Sequence, residues 1–401
     1  MSRTLNVWWA NRYVGLFTEE DGHVSFQYDD AAPHMSISLS LPRDGGWQQD
    51  APANFLENLL PTSRKARYAM MDSLHKDSIN PFDLLDRVDA TGGLIFSSSD
   101  IMPDLRSEGV EYVDEGTIAK RIRAIRRMGS EWWEKDQRCR FSIAGGQGKF
   151  TLTRLNKRWA WPNAGMPSTH IFKPDSVDYS NATYLEHTGM HLAALCGLQV
   201  PHTTVATFED EQVYVVERFD RRINNGQIQR LHMEDLQQAL GKPMEDMYST
   251  MPVECVNILR VACPDDELAY QWIQQLAFNV SIGNCDAHAK NYSLMLDDGT
   301  VKLSPMYDAM PTRYWIGLDQ ELAMPIGDAE YAEWVDKNAW AKLSHECGLD
   351  EQRVVDIATE ISNKVWERFD AACDGMPSTM KDRLFDVLKK VNTGMWKEKL
   401  Q

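Results

Sequence analysis

The feature that most constrains this chain is a change of period near residue 221. Before it, apolar runs are short and broken by turn signals, as at 5–9, 13–17, 23–28, 150–153, 159–161, 171–173 and 213–216. Such runs read as strands. From Arg222 onward the pattern is mainly helical, and Leu268, Trp272, Ile273, Leu276 and Val280 fall near one face. One hairpin interrupts it, 294–296 with 301–303 across Asp297-Asp298-Gly299-Thr300, and helices near 350–372 and 379–394 end the chain. Strands followed by a larger helical part, with a polar centre at their junction, predict an α+β, bilobal enzyme. With 401 residues the chain exceeds one compact core, so two or three packed units are expected.

Three segments follow from this pattern. Residues 1–104 open as an antiparallel meander, broken at Ala10-Asn11-Arg12 and turned at Asp21-Gly22, with helical material from Pro52 to about Leu85. Ser97-Ser98-Ser99-Asp100 with Pro103 marks the boundary. Residues 105–220 hold a second strand-rich region. Within it a helix is expected over 182–196, stopped by Gly197, and a hairpin around Glu209-Asp210-Glu211. Residues 221–401 are expected to be a helical lobe.

Several classes are disfavoured. No run of about 20 apolar residues exists to span a membrane, and the first residues carry no long apolar run of a secretory signal. Seven scattered cysteines without a CxxC pair suit a reducing cytosol, so a cytoplasmic location is expected. A net charge of -17 opposes direct nucleic-acid binding unless a basic patch exists. The best candidate patch holds Lys120, Arg121, Arg123, Arg126 and Arg127, but Ile118, Ile122 and Ile125 at helical spacing also fit a solvated amphipathic helix.

The densest polar cluster is Gly283-Asn284-Cys285-Asp286-Ala287-His288-Ala289-Lys290-Asn291. Asp286 and Asn291 have the spacing of the aspartate and asparagine in protein-kinase catalytic loops. A carboxylate near an acceptor hydroxyl can orient it and take its proton, and an amide oxygen can hold magnesium. Asp308, in Pro305-Met306-Tyr307-Asp308, would be returned towards that loop by the hairpin and serve as the main magnesium ligand, although no DFG motif is present. Lys173 on a short strand can reach ATP phosphates, and Glu186 on the next helix can pair with it. Ser142-Ile143-Ala144-Gly145-Gly146-Gln147-Gly148-Lys149 is glycine-rich enough to approach phosphates, yet matches neither GxxxxGK[ST] nor GxGxxG, and a simple turn fits it as well. A metal-dependent hydrolase using Asp286, His288 and Asp308 would be a different reading, but HEXXH and paired Cys/His spacings are missing.

Taken in order, FSIAGGQGK at 141–149, HIFKP at 170–174, the Glu186 helix ending in GLQVP, VVERFDRR at 215–222, LHMEDLQQALG at 231–241, CDAHAKN at 285–291 and SPMYD at 304–308 resemble the HipA family of bacterial toxin kinases. YVGLF and FLENLLP are similar to the small domain that precedes its kinase core. The resemblance implies a bilobal protein-kinase-like fold with a β-rich N-terminal subdomain and an all-helical C-terminal lobe. It implies ATP and Mg2+ as cofactors, with Asp286 as base, and Asn291 and Asp308 as metal ligands. Lys173 and His288 are then expected at the phosphates, with Gly145, Gly146, Gln147 and Tyr307 also lining the nucleotide site. Glu217 and Phe219 would form the adenine-binding hinge, and Ser142 would be autophosphorylated. The implied activity is protein serine/threonine phosphorylation by the toxin of a toxin–antitoxin pair, causing growth arrest and persistence, with a translation component such as an aminoacyl-tRNA synthetase as target. A HipB-like helix-turn-helix antitoxin is the implied partner, carrying the DNA contacts; a non-catalytic co-repressor bound to that antitoxin is the alternative. Two departures stand out: the GGQGK segment itself, and Met233 before Glu234-Asp235 where the family commonly has Gln.

Overall fold

The computed structural model describes all residues except 1, 33–35, 104–108, 129–140, 143–146, 164, 177–178, 225–226, 297–298, 398 and 401. It divides into two compact units. The first comprises Met1–Thr183, Thr204–Met244 and Met295–Thr300, the second Tyr184–Thr203, Glu245–Leu294 and Val301–Gln401.

In the first unit the expected meander is present. Strand Arg3–Trp9 pairs antiparallel with Arg12–Glu20 on one side and Leu94–Ser97 on the other, and His23–Tyr28 lies beyond Arg12–Glu20. Its two turns place Ala10, Asn11, Asp21 and Gly22 at φ of 48°, 64°, 49° and 81°, the sense that matches strand twist. A six-stranded sheet follows, in the order Thr203–Phe208, Glu211–Glu217, His170–Pro174, Phe150–Leu155, Arg158–Ala160, Tyr112–Val113. Antiparallel register sets His170 opposite Glu217 and Lys173 opposite Tyr214. Leu5, Phe17 and Phe55 from the N-terminal segment join Phe150, Phe172 and Val215 of this sheet in one buried apolar cluster.

The basic run forms helix Glu115–Met128, with Ile118, Ile122 and Ile125 buried. Arg123 bonds Glu209, Asp210 and Glu211 at 2.7, 2.7 and 3.0 Å, and Arg126 bonds Glu211 at 2.6 Å. The acidic hairpin turn thus neutralises part of the patch, which reads as a helix face.

The first unit also holds a buried ionic cluster. Asp89 accepts from Ser168 N (2.9 Å), Ser168 Oγ (2.7 Å), Arg218 Nη1 (3.3 Å) and Arg221 Nη2 (2.9 Å). Asp220 accepts from Arg218 Nε (3.0 Å) and Nη2 (2.7 Å), Arg221 Nη1 (2.9 Å) and Gly92 N (2.8 Å). Arg230 stands 3.6 Å from Asp89 with its side chain 12% exposed. Burial pushes the Asp89 carboxyl up, but Arg221, Arg218 and Arg230 together hold it well below the usual carboxylate range. The ERFDR motif is therefore part of the scaffold: Arg218 and Arg221 also donate to Ala90 O at 3.0 and 2.8 Å.

Glu234 is a second buried acid. It accepts from Ser38 Oγ at 2.5 Å and Leu39 N at 2.9 Å, yet burial, the dominant cause, raises its carboxyl from 4.5 to about 8.

In the second unit, helix Glu267–Ile282 buries the predicted face of Leu268, Trp272, Ile273, Leu276 and Val280. It packs against the helices Glu351–Ala372 and Ser378–Val391. The expectation of an all-helical C-terminal lobe is corrected. Strands Arg221–Asn224, Gln227–Arg230, Met233–Asp235, Ser293–Met295 and Lys302–Leu303 stand among the helices after residue 220. Ser293–Met295 and Lys302–Leu303 are the expected hairpin; the other three are only three or four residues long, too short to impose an alternating pattern on the sequence. Among the described residues no helix is long and apolar enough to cross a membrane.

Two outcomes are expected. Asp89→Ala strands buried guanidinium groups and should lower the first unit's stability by about 3–5 kcal/mol, read from the urea midpoint. Glu234 should make stability fall as pH rises from 4.5 to about 8, because the unfolded chain releases a proton that the folded one retains. That slope should flatten in Glu234→Gln, measured by unfolding across the same pH range.

Candidate active site

Helix Glu267–Ile282 ends at Gly283, with φ 71°. A Cβ there would stand 3.0 Å from Arg313 Cβ, so glycine both turns the chain and admits its neighbour. The loop that follows is organised by Asn284. Its Nδ2 donates to Asn279 Oδ1 (2.9 Å) and to Asp308 O (3.0 Å), and its Oδ1 accepts from Asp286 N (3.2 Å). Asn279 in turn donates to Tyr292 OH at 3.0 Å. Tyr307 OH donates to Lys290 O (2.7 Å) and bonds Ser293 Oγ (2.6 Å). Cys285 N donates to Thr312 Oγ1 at 2.7 Å. These bonds sew the 284–293 loop to the 307–312 segment, the juxtaposition expected from the hairpin.

Asp286 is exposed, and Tyr248 OH donates to its Oδ1 at 2.7 Å. The Tyr248 ring meets His288 edge-on, with centroids 4.9 Å apart and planes at 89°. Asn291 is buried, and its Oδ1 has no hydrogen-bond partner. A buried amide oxygen without a partner is a group that can take a cation. Asp308 has φ 52°, a conformation costing about 1–2 kcal/mol for a non-glycine residue. Its carbonyl accepts from Asn284 Nδ2 and Met310 N, both at 3.0 Å, which offsets that cost. Among the described residues no three or more His, Cys, Asp or Glu converge as a metal cage. An asparagine and an aspartate fit magnesium, which takes few protein ligands and completes its shell with phosphate oxygens and water.

The remaining predicted residues, Glu186 apart, belong to the first unit. Lys173 is buried, with Nζ 5.9 Å from the Tyr214 ring centroid. Glu217 is 48% exposed at its side chain and stands 3.7 Å from His170 Nε2. Phe219 lies in the turn after it, where Arg218 N donates to Thr169 O at 2.8 Å. Ser142 is fully buried, donates to Leu59 O at 2.6 Å, and belongs to strand Phe141–Ser142, parallel to Asp89–Ala90. Gln147 is partly buried and Lys149 buried, while Gly145 and Gly146 lie outside the described residues. Glu186 is buried on helix Ala182–Leu195, in the second unit.

Sequence reasoning missed Asn284 as organiser, Tyr248 as partner of Asp286, and Gly189. Tyr248, in the short turn Met244–Tyr248, leaves no periodic signal. Gly189 did leave one: a glycine inside a helix costs about 1 kcal/mol against alanine and calls for a reason. The reason is close approach, because a Cβ at Gly189 would lie 1.9 Å from Ala309 O, just after Asp308. Gly189→Ala should force these segments apart and destabilise the second unit by about 1–3 kcal/mol, seen as a lower urea midpoint.

Known proteins share this organisation. Residues 5–93 match the HipA N-terminal domain, and residues 141–369 match the HipA-like C-terminal domain. Y4mE of Sinorhizobium fredii, named as a kinase candidate, is 32% identical over 365 residues, 86% of each chain. The serine/threonine-protein kinase toxin HipA of Shewanella oneidensis is 27% identical over 349 residues, 82% of this chain and 79% of that one. In fold, the chain superposes with a TM-score of 0.83 on a chain of the solved complex of Shewanella oneidensis HipA, HipB and operator DNA, at 23% identity, covering 98% of this chain and 97% of that one. With both domains matched in order along most of its length, the chain belongs to the HipA family.

Proposed function

We propose that this chain is an ATP-dependent protein serine/threonine kinase and the toxin of a HipA/HipB-like pair. The observation that carries the reading is the buried, unpartnered Asn291 Oδ1 in a loop bonded to the Asp308 segment. Asn291 and Asp308 would hold Mg2+, which neutralises charge on the transferring phosphate. Lys173 and His288 bind phosphate oxygens, helped by the 145–147 segment. Glu217 and Phe219 hold adenine, chiefly through backbone groups. Tyr307 fixes Lys290 O and so the backbone beside Asn291. Asp286 accepts the proton of a serine or threonine hydroxyl as its oxygen bonds to the γ-phosphorus; the bridging P–O bond breaks and ADP leaves.

The target in this reading is a translation component, such as an aminoacyl-tRNA synthetase, in the cytoplasm. The partner is a HipB-like antitoxin through which a chain of net charge -17 would reach DNA. A solved relative in complex with HipB and operator DNA supports that partner. The second reading is a co-repressor without catalysis, bound to such an antitoxin.

Ser142 is the autophosphorylation site in this proposal. Its hydroxyl donates to Leu59 O and is buried, so the Phe141–Ser142 strand must release before phosphate can be added. Purified chain incubated with magnesium and labelled ATP should incorporate phosphate at Ser142. Asp286→Ala should be slower by about 100-fold or more. No incorporation despite measured ATP binding would overturn the kinase reading and leave the co-repressor.

A further inference from the structure

Asp286 is held by its backbone from both sides. Its N–H donates to Asn284 Oδ1 at 3.2 Å, and its carbonyl accepts from His288 N at 2.9 Å. What this leaves free is the side chain, an exposed carboxylate on two rotatable bonds. Tyr248 removes that freedom. Its hydroxyl donates to Oδ1 at 2.7 Å, and its ring is braced edge-on by His288 at 4.9 Å. Packing does not require this tyrosine, since it is 52% exposed. The phenol contributes a fixed donor on one carboxylate oxygen, Oδ1.

We propose that Tyr248 is a positioning residue that fixes the Asp286 carboxylate for proton acceptance. This inference rests on the kinase reading. A carboxylate held in one rotamer meets the acceptor hydroxyl already oriented, so the gain falls on turnover and not on nucleotide binding. His288 thereby has a second task, as the wall against which the tyrosine ring is set.

The test is Tyr248→Phe, which keeps the ring on His288 and removes only the hydroxyl. Phosphate incorporation from magnesium-ATP into the chain is followed at increasing ATP for wild type, Tyr248→Phe and Asp286→Ala. The maximal rate of Tyr248→Phe should fall about tenfold, the effect of losing one hydrogen bond to a charged group. Half-saturating ATP and the thermal midpoint should not move. A rate equal to wild type would overturn the proposal. So would a faster rate, which would mean that the tyrosine hydroxyl blocks the acceptor's place. A parallel loss of ATP affinity and thermal stability would assign Tyr248 a structural role instead. A silent wild type would overturn this inference together with the kinase reading, whereas an active wild type matched by Tyr248→Phe would remove this inference alone.

Discussion

Two carboxylates and three guanidinium groups are buried together in the first unit, and its geometry is hung from them. Asp89 and Asp220 cannot be buried alone, nor can Arg218 and Arg221, because each isolated ion would lose several kcal/mol of hydration. The set is tolerable only when complete. Completing it brings residues 89–92 against residues 218–221, which are 129 positions apart where Arg218 meets Asp89. Arg218 and Arg221 flank Phe219, so the turn proposed to cradle adenine takes its place from ions that never touch a ligand. The same Asp89–Ala90 strand pairs with Phe141–Ser142. One ionic cluster thus fixes the register of the proposed regulatory serine and the proposed hinge together.

The second unit holds its loop chiefly through neutral groups. Asn279, Asn284, Tyr292, Tyr307 and Thr312 form a neutral network in which donors and acceptors are matched. A neutral network avoids the desolvation cost of ions and leaves the local field to whatever charge arrives with the nucleotide. The left-handed backbone of Asp308 is tolerated because its carbonyl receives two hydrogen bonds. Asn291 Oδ1 is the one buried side-chain oxygen of this loop without a hydrogen-bond partner among the described residues.

Much of this was legible in the sequence, for reasons that can be named. Asp21-Gly22 marked its hairpin because few residues adopt left-handed backbone. The face of Trp272, Ile273 and Leu276 followed from helical spacing. Asp286 and Asn291 stood out because a polar run interrupted apolar structure, and Asp308 because the hairpin was expected to return it towards that run. What stayed hidden depends on distant partners. The run around Arg123 and Arg126 gave no sign that Glu209–Glu211, more than 80 positions away, would meet it. The fit of Gly189 to Ala309 and the reach of Tyr248 to Asp286 are likewise tertiary. The short strands between residues 221 and 235 escaped because three or four residues carry no usable period.

Ser142 has a consequence of its own. Its hydroxyl is buried, bonded to Leu59 O, and held by a strand pairing only two residues long. Modification there cannot proceed by simple collision, as it can on an open surface. The rate is the product of an opening equilibrium and an intrinsic step. Anything that tightens the Asp89–Ala90 pairing therefore acts as a clock on the residue beside it. The ionic cluster that gives the unit its shape would also set how long the serine stays out of reach.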